Sequence, residues 1–149
     1  NITVLDISEK AIAKAKKRLG EKASKVNWIV SDITEFKPHS SFDVWHDRAT
    51  FHFLTTDGQI KKYIKQATKF VSGYLVIGTF SQNGPKKCSG LEIKQYNEEE
   101  LTLELKKGFD KIQCITEDHT TPFNTMQNFL FCSFKRQLTE KPALPIPTS

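Results

Sequence analysis

The sequence predicts an α/β fold in which a mostly parallel sheet ends in an antiparallel strand. Short apolar runs alternate with amphipathic helical patterns over residues 1–105, the order that is typical of βαβ units. Two alternating runs then follow each other across a turn, which predicts an antiparallel hairpin. Acids stand at three predicted strand ends, Asp6, Asp32 and Asp47, where open α/β sheets bind their ligands.

Local patterns place the individual elements. The predicted strands are 2–6, 26–30, 42–45, 74–80, 109–117 and 126–134. Ser8 is a good N-cap for an amphipathic helix over 9–19, and Gly20 can end it in a left-handed conformation. A second helix is expected between a cap at Asp57 and a stop at Gly73. Asn97 and Glu100 have capping-box spacing, which predicts a third helix through Leu105.

Composition limits the classes of function. The chain has 149 residues, enough for about one domain, and no apolar run reaches the ~18 residues of a membrane helix. The N-terminus lacks the pattern of a signal peptide, so a cytoplasmic protein without a membrane partner is expected. The net charge of +5 is spread over helix faces rather than clustered, so no nucleic-acid partner is expected.

The thiols and imidazoles show no motif of their own. Cys88, Cys114 and Cys132 are far apart and form no CxxC pair, so reduced thiols are expected rather than a disulfide framework. The four histidines lack metal-ligand spacing, and no metal site is expected. The oligomeric state stays open.

Three segments carry a resemblance to a known family. They are the Trp-His-Asp-Arg-Ala run at 45–49, the Gly-Pro-Lys-Lys-Cys-Ser-Gly-Leu loop at 84–91 and the His-Thr-Thr-Pro turn at 119–122. Together with the Gly-Thr-Phe strand end at 78–80, they resemble the class I S-adenosylmethionine-dependent methyltransferases. More narrowly, they are similar to the small bacterial-type members that contain Trp-His-Asp-Arg-Ala. The resemblance covers about residues 1–136.

The resemblance implies a Rossmann-like methyltransferase sheet with strand order 3-2-1-4-5-7-6 and an antiparallel seventh strand. The six predicted strands match the second through seventh. The first strand and the Gly-rich loop that wraps the methionine part of the cofactor are missing. Residues 1–136 are therefore expected to form a partial methyltransferase domain, a fragment of the enzyme's sequence that could be inactive alone because the Gly-rich loop is missing. Residues 137–149, which contain three prolines, are expected to be a disordered tail.

The acids have a chemical reason for binding adenosine. Asp6 offers two acceptor oxygens to the ribose hydroxyls, and Ile7 would lie against the adenine. Asp32 would accept from the adenine amino group, and the backbone N–H of Ile33 would reach a ring nitrogen. Structural alternatives remain open, because Asp6 can simply begin a turn and Asp32 can form an Asx-turn.

The cluster at 46–48 is expected near the reacting sulfonium. His46 is a candidate general base and cofactor contact, and Asp47 would orient it or favour the cationic sulfonium. Arg48 would hold an acidic substrate or pair with Asp47. Lys87, Cys88, Ser89 and His119 are expected on the substrate side, with a recognition role for Cys88 favoured over a nucleophilic one. His52 is expected to be a packing residue.

The leading hypothesis is methyl transfer from S-adenosylmethionine to an unidentified small-molecule or protein acceptor. A methyltransferase-like binding module without catalysis is one alternative. A nicotinamide-nucleotide-binding Rossmann oxidoreductase is another, since it shares the ribose acid, although the acid after the next strand and the closing hairpin fit it poorly.

Overall fold

The computed structural model describes residues 1–138, so residues 139–149 of the expected tail over 137–149 lie outside the described residues. The chain begins with a βαβ unit. Strand β1 (Ile2–Asp6) leads into helix α1 (Glu9–Leu19), a 3₁₀ helix (Gly20–Lys25) and strand β2 (Val26–Val30). Strands β1 and β2 pair in parallel along their full length. The Ser8 side chain accepts from the Ala11 N–H, and Gly20 ends α1 with φ of 58°, so both predicted caps are confirmed.

The central segment repeats the strand–helix–strand order. Strand β3 (Phe42–Arg48) is followed by a 3₁₀ turn (Phe51–Phe53), helix α2 (Asp57–Phe70) and strand β4 (Val71–Phe80). Strands β3 and β4 are parallel, which brings Asp47 beside Ile77. Two predicted boundaries are wrong. Thr56 caps α2 in a capping box with Gln59, and the helix passes directly into β4, so that Gly73 lies inside a strand.

The final segment forms the predicted hairpin. After a short hairpin of β5 (Lys87–Cys88) and β6 (Leu91–Glu92), helix α3 (Glu98–Leu105) starts at the predicted Asn97–Glu100 capping box. Strands β7 (Phe109–Thr120) and β8 (Met126–Arg136) then pair in antiparallel fashion. Gln137 donates to Lys106 and Asp110, so it is still tied to the domain.

Sheet topology explains where a site can form. The described strands make a parallel pair, β1-β2, and a separate sheet with the order β3-β4-β8-β7. The six long strands thus follow the order that the family resemblance implies, and β8 is antiparallel to β4. Strands β1 and β3 are not hydrogen-bonded to each other. A gap therefore opens between two edges whose strands are each paired on one side only.

The hydrophobic core lies on one face of the four-stranded sheet. Leu75 and Ile77 of β4, together with Leu130 and Phe134 of β8, belong to one buried cluster with side chains from helices α2 and α3. Within this core the expectation of reduced thiols is wrong for two cysteines. Cys114 and Cys132 are directly paired across β7 and β8 and form a disulfide bond. The sequence separation of 18 residues gives no local signal for this contact, because the hairpin register alone creates it.

Candidate active site

A cavity of about 290 Å³ occupies the gap between β1 and β3. This volume is near the lower end of the ~300–1,000 Å³ that ligand pockets usually have. Residues from β1, from the loop after β2 and from β3 line it, namely Thr3, Leu5, Asp6, Ile33, Phe36, Phe42, Val44, Trp45, His46, Asp47, Arg48 and Thr50. The cavity thus lies at the carboxyl ends of parallel strands, the place where the sequence predicts a ligand.

Asp6 is placed to receive a ligand with hydroxyl groups. It is half-buried at the end of β1 and lines the cavity. Its Oδ1 accepts from the Ser8 N–H at 2.7 Å, which fixes the rotamer of the carboxylate. Among the described residues no group donates to Oδ2. This oxygen is therefore available to a ligand hydroxyl, and the turn-forming and ligand-binding roles of Asp6 are compatible.

Asp32 and its neighbour occupy different environments. Asp32 is exposed, and its Oδ1 accepts from both the N–H and the hydroxyl of Thr34, which makes an Asx-turn. Asp32 does not line the cavity, whereas Ile33 does, with a side chain that is 8% exposed. Gln66 of α2 donates to the carbonyls of Ile33 and Thr34, both at 3.0 Å. The loop is thus held by a side chain far away in the sequence.

Ile7 points away from the cavity interior. Its side chain is 69% exposed, and it is not among the residues that line the cavity. The structure therefore does not place Ile7 in a cavity wall where it would meet the adenine ring, as the sequence predicts.

The three polar residues at the end of β3 do not form one cluster. Successive side chains of a strand alternate between its faces. Trp45 and Asp47 face helix α2, where the Trp45 ring meets the Tyr63 ring at 6.1 Å between centroids. His46 and Arg48 point to the opposite face and are exposed. All four of these β3 residues, 45–48, nonetheless line the cavity.

Asp47 is the most constrained of the three. It is 5% exposed, and its Oδ1 accepts from the N–H groups of Thr50 at 3.0 Å and Phe51 at 3.2 Å. Burial raises the pKa of this carboxyl, and hydrogen bonds from the N–H groups of Thr50 and Phe51 oppose that rise. Tyr63, whose ring packs against Phe51, was not found from the sequence as a neighbour of the site, because it is part of the apolar stripe of α2.

His52 is a packing residue, as expected. It is fully buried between the rings of Phe53 and Phe80, and its Nδ1 accepts from the Phe80 N–H at 3.3 Å. Burial lowers the pKa of His52 to about 4, so the imidazole is neutral near pH 7. It does not line the cavity and takes no part in the candidate site.

The predicted substrate-side residues lie beyond the same edge of the sheet but outside the cavity. Lys87 pairs with Glu92 at 3.4 Å, Cys88 is half-buried opposite Leu91, and Ser89 adopts φ of 51° in the β5–β6 turn. His119 stands on the part of the β7–β8 hairpin that extends past the last β4–β8 pair, Phe80 with Phe129. Arg48 alone of the predicted substrate residues lines the cavity.

No group of acidic, histidine and cysteine side chains within residues 1–138 could hold a metal ion. None of the helices in the same stretch is long and apolar enough to cross a membrane.

Comparison with known proteins supports the family resemblance. Residues 1–72 match the family profile described as "Methyltransferase domain". Together with the relatives and solved structures below, this match supports a class I S-adenosylmethionine-dependent methyltransferase. S-adenosylmethionine is the cofactor of this family.

Curated relatives match the first half of this chain. A malonyl-[acyl-carrier protein] O-methyltransferase from Anoxybacillus flavithermus is 36% identical over 80 residues, which cover 53% of this chain and 29% of the relative. Nodulation protein S from Rhizobium fredii is 29% identical over 80 residues, which cover 52% of this chain and 45% of that protein. The match thus spans less than half of the length of these relatives.

Solved structures extend the likeness to nearly the whole chain. A methyltransferase from Methanosarcina mazei gives a TM-score of 0.71 at 18% identity, with 92% of this chain and 82% of that chain covered. The N-methyltransferase NodS from Bradyrhizobium japonicum, in complex with S-adenosyl-L-homocysteine, gives 0.64 at 17% identity, with 90% and 65% covered. At such identities these structures show the shared Rossmann-like methyltransferase fold.

Proposed function

We propose that this chain carries the adenosine-binding and methyl-transferring part of an S-adenosylmethionine-dependent methyltransferase, with a small molecule or a protein side chain as acceptor. The observation that carries the proposal is the cavity between β1 and β3. One wall presents the Asp6 carboxylate, and the other presents His46 and Arg48. A ribose acceptor and a polar reaction edge therefore face the same space.

The cofactor would fit polar atoms without partners at the cavity and, for Asp32, beside it. The free Oδ2 of Asp6 would accept from the ribose hydroxyls. The main-chain N–H of Ile33, which has no acceptor within residues 1–138, would donate to an adenine ring nitrogen. Asp32 retains Oδ2 for the adenine amino group, since only its Oδ1 is used in the Asx-turn. When bound, S-adenosylmethionine supplies an electrophilic methyl group on a sulfonium whose leaving group departs neutral.

The residues of the chain would contribute mainly alignment. Because the departing thioether needs no proton, placing the acceptor in line with the methyl group supplies much of the rate. His46 is exposed at the cavity and free to take a proton from an acceptor whose reactive form is the deprotonated one. Arg48 would hold an acidic group of the acceptor, and the loops that carry Lys87, Cys88, Ser89 and His119 would contact the rest of it.

Calorimetric titration of the chain with S-adenosyl-L-homocysteine tests the proposal. We expect micromolar binding that Asp6→Ala weakens by at least ~10-fold, because two hydrogen bonds to a charged acceptor are lost. Glu9→Ala is the matched control, since Glu9 is an exposed acid three residues later that does not line the cavity. Its affinity should equal that of the unaltered chain.

Two further outcomes separate the alternatives. Binding of NADH without binding of S-adenosyl-L-homocysteine would favour the oxidoreductase hypothesis. Binding of S-adenosyl-L-homocysteine without transfer of labelled methyl groups to any small-molecule or protein acceptor would favour the non-catalytic binding module. Failure of a folded chain, checked by circular dichroism, to bind any of these nucleotides would contradict the proposed site.

A further inference from the structure

The segment after β3 makes a sharp, defined turn at the cavity. Arg48 and Thr50 line the cavity, and Ala49 between them has φ of 63°, a conformation that residues with a Cβ rarely adopt. Such a turn persists only where surrounding contacts hold it. The contacts that hold this turn therefore decide the shape of this wall of the cavity.

Two main-chain attachments come from one carboxylate. Oδ1 of Asp47 accepts from the N–H of Thr50 and the N–H of Phe51, so it bridges the turn from its first residue to its last. A third attachment is the Ala49 N–H, which donates to the Gly78 carbonyl on β4 at 2.8 Å. The Phe51 ring anchors the end of the turn in the core, 4.9 Å from the Tyr63 ring.

Tyr63 packs beneath the turn. It is fully buried on α2, in edge-to-face contact with Trp45 and Phe51. Its buried hydroxyl has no hydrogen-bond partner among the described residues, so its ring alone supports the turn. Tyr63 lies 12 residues along the chain from Phe51, so only tertiary packing brings the two rings together.

We propose that Asp47 is a positioning residue, which holds the Arg48–Thr50 turn in the shape that binds the cofactor, rather than a group that acts on the sulfonium by charge. This inference rests on the proposed function and specifies how one wall of its site is built. Asp47 acts through the N–H groups of Thr50 and Phe51, and the cofactor meets the resulting surface.

The two roles make different predictions for an amide in place of the acid. Asp47→Asn keeps an oxygen that accepts from both N–H groups but removes the charge, whereas Asp47→Ala removes both. Asp43→Ala is the matched control, because Asp43 is an exposed acid on the same strand that does not line the cavity. Affinities for S-adenosylmethionine and S-adenosyl-L-homocysteine are measured by calorimetry, together with hydrogen exchange at the amides of Thr50 and Phe51.

For a positioning role, Asp47→Ala should weaken both ligands equally by ~10-fold and expose the two amides to exchange. Asp47→Asn should stay within about 3-fold of the unaltered chain, with both amides protected. The ratio of the two affinities should not change in any variant, because both ligands meet the same turn. A charge effect would change the ratio, since only S-adenosylmethionine carries the positive charge.

Tyr63→Phe supplies a second measurement that does not depend on Asp47→Ala folding, because it keeps the ring that packs against Phe51. The hydroxyl that it removes has no hydrogen-bond partner among the described residues, so both affinities should stay within about 3-fold of those of the unaltered chain. A ~10-fold loss of both affinities in Tyr63→Phe, with the Thr50 and Phe51 amides still protected, would overturn the assignment of the turn to Asp47.

The inference and the proposed function fail in distinguishable ways. If the unaltered chain binds neither ligand, the proposed function fails and this inference with it. If the unaltered chain binds both but Asp47→Asn loses affinity for S-adenosylmethionine selectively, the cofactor proposal stands and the positioning role is overturned in favour of a charge effect.

Discussion

Two regions of the described chain differ in how firmly they are packed. The nucleotide unit, residues 1–36, contains β1, α1, β2 and the loop after β2, and only Ile12 and Ile33 of its apolar side chains are buried. The sheet unit, residues 42–136, supplies every other buried hydrophobic side chain of the described core. The acids proposed to bind adenosine thus stand on the thinly packed unit, and the reaction edge stands on the well-packed one.

The two units meet through a few specific contacts. Leu5 and Phe36 pack against the main core, and Gln66 donates to two carbonyls of the loop. Because local stability follows buried apolar contacts, the nucleotide unit should open more readily than the sheet unit. The comparison teaches that cofactor affinity and global stability are set by different residues in this chain.

Matched leucine truncations should give the largest contrast. Leu75 is fully buried in β4, whereas Leu5 of β1 is half-buried at the cavity. We expect Leu75→Ala to lower the free energy of unfolding by about 3–4 kcal/mol, since it leaves a cavity in a packed core. Leu5→Ala should cost about 1 kcal/mol. Urea denaturation of both variants measures this, and equal losses would show that the two units are packed equally well.

Removing the disulfide should affect the sheet unit alone. Replacing Cys114 and Cys132 together by Ser should lower the free energy of unfolding by about 2–4 kcal/mol. The double variant loses the crosslink between β7 and β8, and it places a hydroxyl in the core at position 132. Cys88→Ser is the control, because that half-buried thiol is free in the described chain. Thermal unfolding and the affinity for S-adenosyl-L-homocysteine are both measured, and the affinity below the transition should be unchanged.

Acid should destabilise the sheet unit through His52. Its pKa of about 4 in the folded chain lies below the ~6.5 of an unfolded histidine, so the unfolded state binds the proton first as the pH falls. The destabilisation is therefore absent well above pH 6.5 and grows to a loss of about 3 kcal/mol in the free energy of unfolding as the pH approaches 4. His52→Asn, which keeps an acceptor for the Phe80 N–H, should flatten this part of the profile.

The raised pKa of Asp47 acts in the opposite direction, since its protonation as the pH falls favours the folded state. The unaltered chain and the His52→Asn variant both contain Asp47, so its effect cancels in the difference between their pH profiles. Parallel pH profiles for the two proteins would contradict the assignment to His52.

The smallest effect on stability is expected where the two units are tied. Gln66→Ala leaves the carbonyls of Ile33 and Thr34 without their donor and should cost about 1 kcal/mol. It should also weaken S-adenosyl-L-homocysteine binding, because the loop that carries Ile33 loses its support. Lys62→Ala is the control on the same helix. Its ion pair with Glu35 is exposed, so its loss should change neither quantity. Equal effects of the two variants would show that the loop is held by something else.

Much of the fold was readable from local patterns. Helix α1 has the predicted bounds, with the Ser8 cap and the Gly20 stop, and α3 begins at its predicted capping box, because caps and apolar stripes are short-range features. The α2–β4 boundary was missed, since Val71 continues the apolar stripe of the helix while its backbone already pairs with Phe42. Asp6, Ile33, His46, Asp47 and Arg48 were found as residues at strand ends, and all of them line the cavity.

What the sequence determined by itself is therefore the family resemblance, the order of the strands and the edge of the sheet where the site lies. Tertiary structure alone decided how that site is held. It paired Cys114 with Cys132, set Gln66 under the loop at Ile33 and packed the Tyr63 ring against Phe51. These contacts join residues 12 to 33 positions apart, where no helical or strand period connects them. Their physical cause is the packing of α2 and of the β7–β8 hairpin, which exists only once the sheet has formed.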